Sequence, residues 1–414
     1  FRAVVFEAEA RFTSATFEFA IFDNTFFQRD ADFQWASINC AGFGGVRFNG
    51  IAGFQSARFS QDAIFEGTDF QGYADFMQAN FDEASFNLAS FRAEARFTKM
   101  KSKGLAAFES AKFKAGADFI ESNFDAEANF RSAVFNGNAH FSSAIFSGKT
   151  YFSNADFQMA ANFISAAIKD NFIFVGEKLF ADGSKLDFSL AIVEKPERVS
   201  FHHCRLRPEW FMLTDPRKFE FDNVEWVGLK EELKRLKVKG EWNHKQHHIV
   251  YRQLATNAEE NHRYAEASQF RFASLEARRL EKFGGFVPWR LDWWYWLASC
   301  YGESVSRAFL VFTAVIALSA FVFTRMDFDS SAKLPVASIS SFTPATTLLQ
   351  NPGTPPHPLS YKDAVIYSLN VAILQKPEPK PYSFSAKFLV WLETVLGPAQ
   401  AALLALAVRR RFMR

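Results

Sequence analysis

Phenylalanine marks a rhythm along the first two fifths of the chain. Phe86, Phe97, Phe108, Phe119, Phe130, Phe141, Phe152 and Phe163 stand eleven residues apart without a break. Phe81, Phe91, Phe113, Phe124, Phe135, Phe146, Phe157 and Ile168 run between them, so the spacing alternates five and six. Upstream, Phe12, Phe17, Phe22 and Phe27, then Phe33, Ile38, Phe43 and Phe48, keep five with an occasional six. A small residue stands two positions before most of these, as in Ala79, Ala84, Ala95, Ala111, Ala128, Ala133, Ala144 and Ala155. Neither the 3.6-residue period of a helix nor the two-residue period of a strand produces this pattern. A short unit repeated at fixed period predicts a solenoid, in which each turn buries its apolar face on its neighbours. Residues 182–226 keep an extended pattern (Val199-Ser-Phe201, Phe219-Glu-Phe221, Val224-Glu-Trp226), which reads as irregular final coils and a cap.

The pattern changes at Gly228. Leu229, Leu233 and Leu236 fit one helix face, Val250, Leu254 and Ala258 another, and Ala267, Phe270, Leu275 and Leu280 a third, so 227–287 reads as a helical linker. A single helical hairpin in this stretch needs a neighbour, either the rod or another subunit. Apolar runs follow. Ala308–Thr324 holds 17 uncharged residues, about 25 Å of helix, and 388–408 holds 21 residues with one charge, Glu393, about 31 Å. Both are long enough to cross a bilayer core, which predicts spans at about 307–325 and 388–408. The shorter uncharged run at about 363–375 suits a re-entrant helix. Ahead of the first span, Pro288 opens a short helix carrying Trp289, Trp293, Trp294 and Trp296, read as an interfacial anchor at 288–304 because indole sits at the boundary between lipid and water.

Charge refines this picture. Residues 271–307 with 409–414 carry ten basic residues in 43, and the loop 325–387 carries six in 63. By the positive-inside rule both termini are cytoplasmic and the protein is a multi-pass protein of the inner membrane. The whole chain has 47 Lys+Arg against 45 Asp+Glu, a net +2, and residues 1–170 carry 20 acidic and 15 basic residues, a net −5. Neither balance suits a nucleic-acid partner or a strongly acidic mimic of one. Cys40, Cys204 and Cys300 form no CxxC pair, as a reducing compartment would favour. No secretory leader is read in the opening residues.

Units such as Ala79-Asn80-Phe81-Asp82-Glu83 and Ala155-Asp156-Phe157-Gln158-Met159 resemble pentapeptide repeats of the Phe type. The resemblance implies a right-handed quadrilateral β-helix with about 22 residues per coil. Residues 1–175 would make about eight coils, nearly 40 Å at the usual ~4.8 Å between strands. Ser299-Cys-Tyr-Gly-Glu-Ser304, Tyr367-Ser-Leu369, and Leu392-Glu-Thr-Val-Leu-Gly397 through Arg409-Arg-Arg-Phe412 are similar to the two-transmembrane, potassium-channel-like pore domain that follows such repeats, and Leu275-Glu-Ala-Arg-Arg279 to its linker. The implied fold class is thus a β-solenoid over 1–226, an all-α linker over 227–287, and a two-span α-helical membrane domain over 305–414. The implied assembly is a homo-oligomer, a tetramer, in contact with membrane lipid.

The sequence departs from potassium channels where selectivity is made. After the short helix stand Val371, Ala372, Ile373, Leu374, Gln375 and Lys376, then Pro377, Glu378, Pro379, Lys380 and Pro381. No Gly is present there to give the unusual backbone of a carbonyl filter, so potassium selectivity does not carry over. Val371–Lys376, Glu378 and Lys380 remain the pore-lining candidates. Lys376 and Lys380 favour anions and Glu378 cations, and both signs stay open. Glu393 is the acid within a span, either functional or in a hydrogen-bonded structural role. Gly397 and Pro398 mark a kink and a candidate hinge.

His244, His247 and His248 stand at i, i+3 and i+4, a spacing that lets two imidazoles share a metal. With no second ligand set in view, the reading is a solvated helix face. His202-His203-Cys204 is a looser cluster, and His140 faces outward on the rod. No P-loop, GxSxG, HExxH or dinucleotide fingerprint occurs, so neither an enzyme nor a cofactor is expected. The expectation is an oligomeric, bacterial-type, ion-channel-like membrane protein with a repeat domain that docks or responds to a protein or small-molecule regulator. The alternative is a non-conducting membrane-anchored scaffold.

Overall fold

The Phe period becomes a parallel stack because equivalent residues in successive turns lie side by side. Phe27, Phe48, Phe70, Phe91, Phe113, Phe135 and Phe157 occupy one register position through seven turns. Their rings stack nearly parallel, with centroids 4.8–5.2 Å apart. That distance is close to the separation of hydrogen-bonded strands, so one ring per turn fills the column without a gap. Phe33, Phe54, Phe76, Phe97, Phe119, Phe141 and Phe163 form a second column at 4.8–5.0 Å. Rings of neighbouring columns meet edge to face, as Phe54 meets Phe65 at 85°. Ala31, Ala52, Ala74, Ala95, Ala117 and Ala139 make a ladder of their own, fully buried beside the rings where no larger side chain fits.

The computed structural model describes residues 1–238, 243–281, 289–328, 357–376 and 378–412. Two units are present, Phe1–Leu280 and Glu281–Arg414. In the first, the solenoid continues for about ten turns, beyond the eight expected over 1–175, because the irregular segment to Trp226 joins the same stack. Phe174 pairs with Phe201 and Phe201 with Phe221. Each eleven-spaced Phe opens a turn closed by the N–H three residues on, as from Ala36 to the Phe33 carbonyl at 3.1 Å. The third residue of these turns has a left-handed backbone; Gly fills it at Gly45 and Gly67, but Trp35, Leu88, Lys99 and Glu121 adopt it as well. At one rung the sizes are exchanged. Met100 takes the small position and Ser102 the ring position, and both are fully buried.

Three helices close the first unit: α1 (Leu229–Leu236), α2 (His244–Glu260) and α3 (Tyr264–Leu280). Asn243 caps α2 by accepting from the Gln246 N–H at 3.2 Å. Of the two neighbours open to the hairpin, the rod is the one it meets. The buried Asn257 amide donates to the carbonyls of Pro216, Arg217 and Phe219 at 3.2, 2.9 and 2.7 Å, and Phe270 packs edge-on against Trp226.

The second unit contains α4 (Leu291–Ser299), α5 (Val305–Phe323), α6 (Tyr361–Ala372) and α7 (Phe384–Phe412). The helix expected to be interfacial begins at Leu291, after an extended Arg290, so Trp289 precedes it. Pro288 and Pro377 lie outside the described residues. Two helices, Val305–Phe323 and Phe384–Arg410, are long and apolar enough to cross a membrane, and only 17% of each apolar window is buried. A core helix of a water-soluble domain would be mostly buried. Here Leu310, Leu318, Phe321, Phe388, Trp391 and Val395 face outward, an apolar surface of the kind that marks a membrane or partner contact.

Candidate functional site

The site is built from α5, α6 and α7, which pack on one another. Ser304 caps α5 by accepting from the Arg307 N–H, and Ser360 caps α6 by accepting from the Asp363 N–H at 3.3 Å. Beyond the caps the sequence is apolar and helix-forming, so the few polar side chains within it stand out. Ser368 of α6 lies 3.3 Å from the Ile316 carbonyl of α5, about 10 Å down from the Phe323 end at 1.5 Å per residue. The C-terminal end of α6 goes deeper. A Cβ on Gly397 would stand 2.7 Å from the Cα of Ala372, so only Gly allows α6 to approach α7 this closely. Gly397 lies thirteen residues into α7, about 20 Å from its start. The chain then returns. Tyr382 donates its N–H to the Asp327 carbonyl at 3.2 Å, and Pro381 bridges Phe328, beside the end of α5. Thus α6 descends between two apolar helices, and the segment after it climbs back.

The candidates from the sequence separate here. Val371 and Ala372 are buried against the helices, whereas Ile373, Leu374, Gln375, Lys376, Glu378 and Lys380 are exposed. Leu374 has φ +61°, so a left-handed residue follows α6 without Gly. Glu393 is only 2% exposed and faces the α5–α6 side. Its Oε1 is hydrogen-bonded to Ser368, Ser319 of α5 turns toward the same carboxyl, and Oε2 has no hydrogen-bond partner. Pro398 sits inside α7 without ending it, and Gly397 serves the contact with α6.

At the opposite end, the Gln400 amide donates to the carbonyls of Ala298 and Ala308, both at 2.9 Å, which ties α7 to α4 and α5. Arg410 donates to the Tyr301 carbonyl at 2.7 Å and pairs with Glu303 at 3.3 Å. Arg307 lies over the Trp296 ring at 5.0 Å. Trp289 and Trp294 are exposed, and Trp293 and Trp296 half-buried. Sequence reasoning passed over Ser319, Ser368, Gln400 and Arg410 as partners. The signal was present as polar residues within apolar runs, but nothing in the spacing says which of them meet.

The histidine cluster differs from its expectation. His247 is buried, not solvated, and burial holds it below the ordinary imidazole range. Its Nδ1 lies 3.0 Å from the Asn243 carbonyl, His248 Nδ1 lies 3.0 Å from that of Ser274, and His244 Nε2 lies 2.9 Å from that of Leu236. The three rings thus serve three different carbonyls. His202 lies 3.5 Å from Asp222, and burial pushes the Cys204 thiol up to about 12. Among the described residues no group of three or more His, Cys, Asp or Glu is placed to hold a metal ion. A cleft between the last coils and α2 is lined by Thr214, Asp215, Arg217, Lys218, Thr256 and Glu260, and Asp215 and Arg217 pair with each other across 2.6 Å.

Against this geometry, residues 43–90 match the family model for pentapeptide repeats, nine copies. The solenoid carries pentapeptide repeats. No curated protein and no solved structure matches the chain. The match lies wholly within the first unit, so the pentapeptide-repeat domain has support from a family and the helical unit is read from its own geometry.

Proposed function

We propose that the two apolar helices cross a membrane, that the pentapeptide-repeat domain lies on its cytoplasmic face, and that the two-span units assemble as a homotetramer around an ion-conducting axis. The observation that carries this reading is the seat of α6. A helix that enters between two spanning helices, stops about 20 Å along α7 and returns to the side it came from is stable in lipid only where its end lines a cavity or is covered by protein. One subunit leaves Ile373, Leu374 and Gln375 exposed at that end, and several copies around an axis would enclose them. The repeat domain then serves as a docking or regulatory surface for a protein or small molecule. A second reading, a non-conducting anchored scaffold, draws on the return segment, whose Pro379 and Pro381 offer no N–H groups and suit a covered loop.

The test is full-length protein, its subunit number fixed by native mass, reconstituted in planar bilayers. Discrete currents altered by Leu374→Ala or Gln375→Ala support the pore, and reversal potentials in salt gradients give its selectivity. A symmetric oligomer silent across voltage, tension and pH favours the scaffold. A monomer without currents ends the pore reading.

A further inference from the structure

We propose that Glu393 is a proton-binding site, and that the bound proton pins α6 to α5 and α7. Ser368 is fully buried, and its Oγ lies within hydrogen-bonding reach of both the Ile316 carbonyl and Glu393 Oε1. A carbonyl only accepts, an ionised carboxylate only accepts, and a hydroxyl has one hydrogen to give. With Glu393 ionised, Ser319 and Ser368 can each turn a hydrogen toward the carboxylate, but the Ser368 oxygen then faces the Ile316 carbonyl lone pair to lone pair. Oε2 then carries part of a buried charge with no partner. With the proton on Oε1, every bond closes in sequence. The acid donates to Ser368 Oγ, Ser368 donates to the Ile316 carbonyl, and Oε2 is left as a neutral carbonyl oxygen, far cheaper to bury than an ion.

The surroundings supply no counter-charge. On α6 the titratable neighbour is Tyr367, a phenol whose ring packs against Phe323 and Phe328. On α5 Ser319 faces the site, and the charges at the two ends of that helix, Arg325 and Arg307, lie about 9 and 18 Å away along the axis. On α7 and α6 the nearest charges, Lys387 and Asp363, lie about 9 and 8 Å away along their axes. The proton therefore holds one contact among three helices, and its loss places a bare carboxylate at the seat of α6. The site itself stands on this geometry. Its effect on conduction rests on the pore reading above.

The experiment is infrared spectroscopy of full-length protein in lipid nanodiscs, in an E232Q background so that Glu232, a second buried carboxyl, does not contribute. The expected result is a protonated-carboxyl C=O band at neutral pH that E393Q removes and S368A shifts, because the acid loses its acceptor. S368A also reads the site should E393Q fail to assemble. The absence of a band that E393Q removes, or a band unmoved by S368A, overturns the proposal. A silent oligomer would favour the scaffold and leave this result standing, and a missing band would end the proton site without touching the currents.

Discussion

Replacing Glu232 should abolish most of the pH dependence with which α1 docks in the first unit. Glu232 is 2% exposed, its Oε2 accepts from the buried Tyr251 hydroxyl at 2.8 Å, and its Oε1 has no partner. Burial, reinforced by the nearby charge of Glu209, raises this carboxyl from the ordinary 4.5 to about 7, against the opposing pull of the Tyr251 bond and Arg207. Below pH 4.5 folded and unfolded chains both hold the proton, and Glu232 exacts no penalty. Between 4.5 and about 7 the folded chain keeps a proton that the unfolded chain has lost, so stability falls by about 1.4 kcal/mol per pH unit and then levels. The whole interval amounts to roughly 3 kcal/mol. E232Q keeps an acceptor for Tyr251 and cannot ionise. Hydrogen exchange of peptides covering 229–236 and 244–260, corrected for intrinsic rates, should show wild-type protection declining from pH 5 to pH 8 and E232Q protection nearly flat. At pH 8 the variant should be the better protected, by up to about a hundredfold, which is that free energy expressed as an opening constant. Identical pH profiles for the two proteins would refute the reasoning.

Other consequences follow from the packing. Met100→Ala empties a fully buried position and should cost about 2–5 kcal/mol, and Ser102→Phe alone overfills its rung by about 1–3 kcal/mol. Together they restore the common rung and should cost less than either, so a thermal-unfolding cycle without this recovery would show that the two do not share one space. Leu88 is exposed with φ +59°, so Leu88→Gly should stabilise by about 0.5–1 kcal/mol, the relief of a left-handed residue less the extra freedom of the unfolded chain. A lowered melting temperature would contradict this. Asn257→Ala removes donors from three carbonyls and should cost about 2–3 kcal/mol, exposing α2 and α3 to limited proteolysis while the coils before 190 stay resistant. Cleavage spread evenly along the chain would show that the hairpin and the rod do not separate.

The amino-acid sequence by itself determined the solenoid. In a repeating stack the environment of each Phe is the equivalent Phe one turn away, so the period names the partner and no distant information is needed. Phe70 finds Phe91 and Phe91 finds Phe113 by spacing alone. Two helices of spanning length were legible for a similar reason, since length and apolar composition are local properties. The irregular coils from Gly176 to Trp226 were legible only as extended segments, because insertions there break the count. What has no period was decided by the tertiary structure. Ser368 meets Ile316 across 52 positions and Glu393 across 25, Asn257 reaches back to Pro216, Arg217 and Phe219, and His247 turns inward from a face that reads as solvated. Each of these contacts depends on how one helix is rotated and seated against another. That rotation is set by packing as close as Gly397 on Ala372, and no spacing along a single element encodes it.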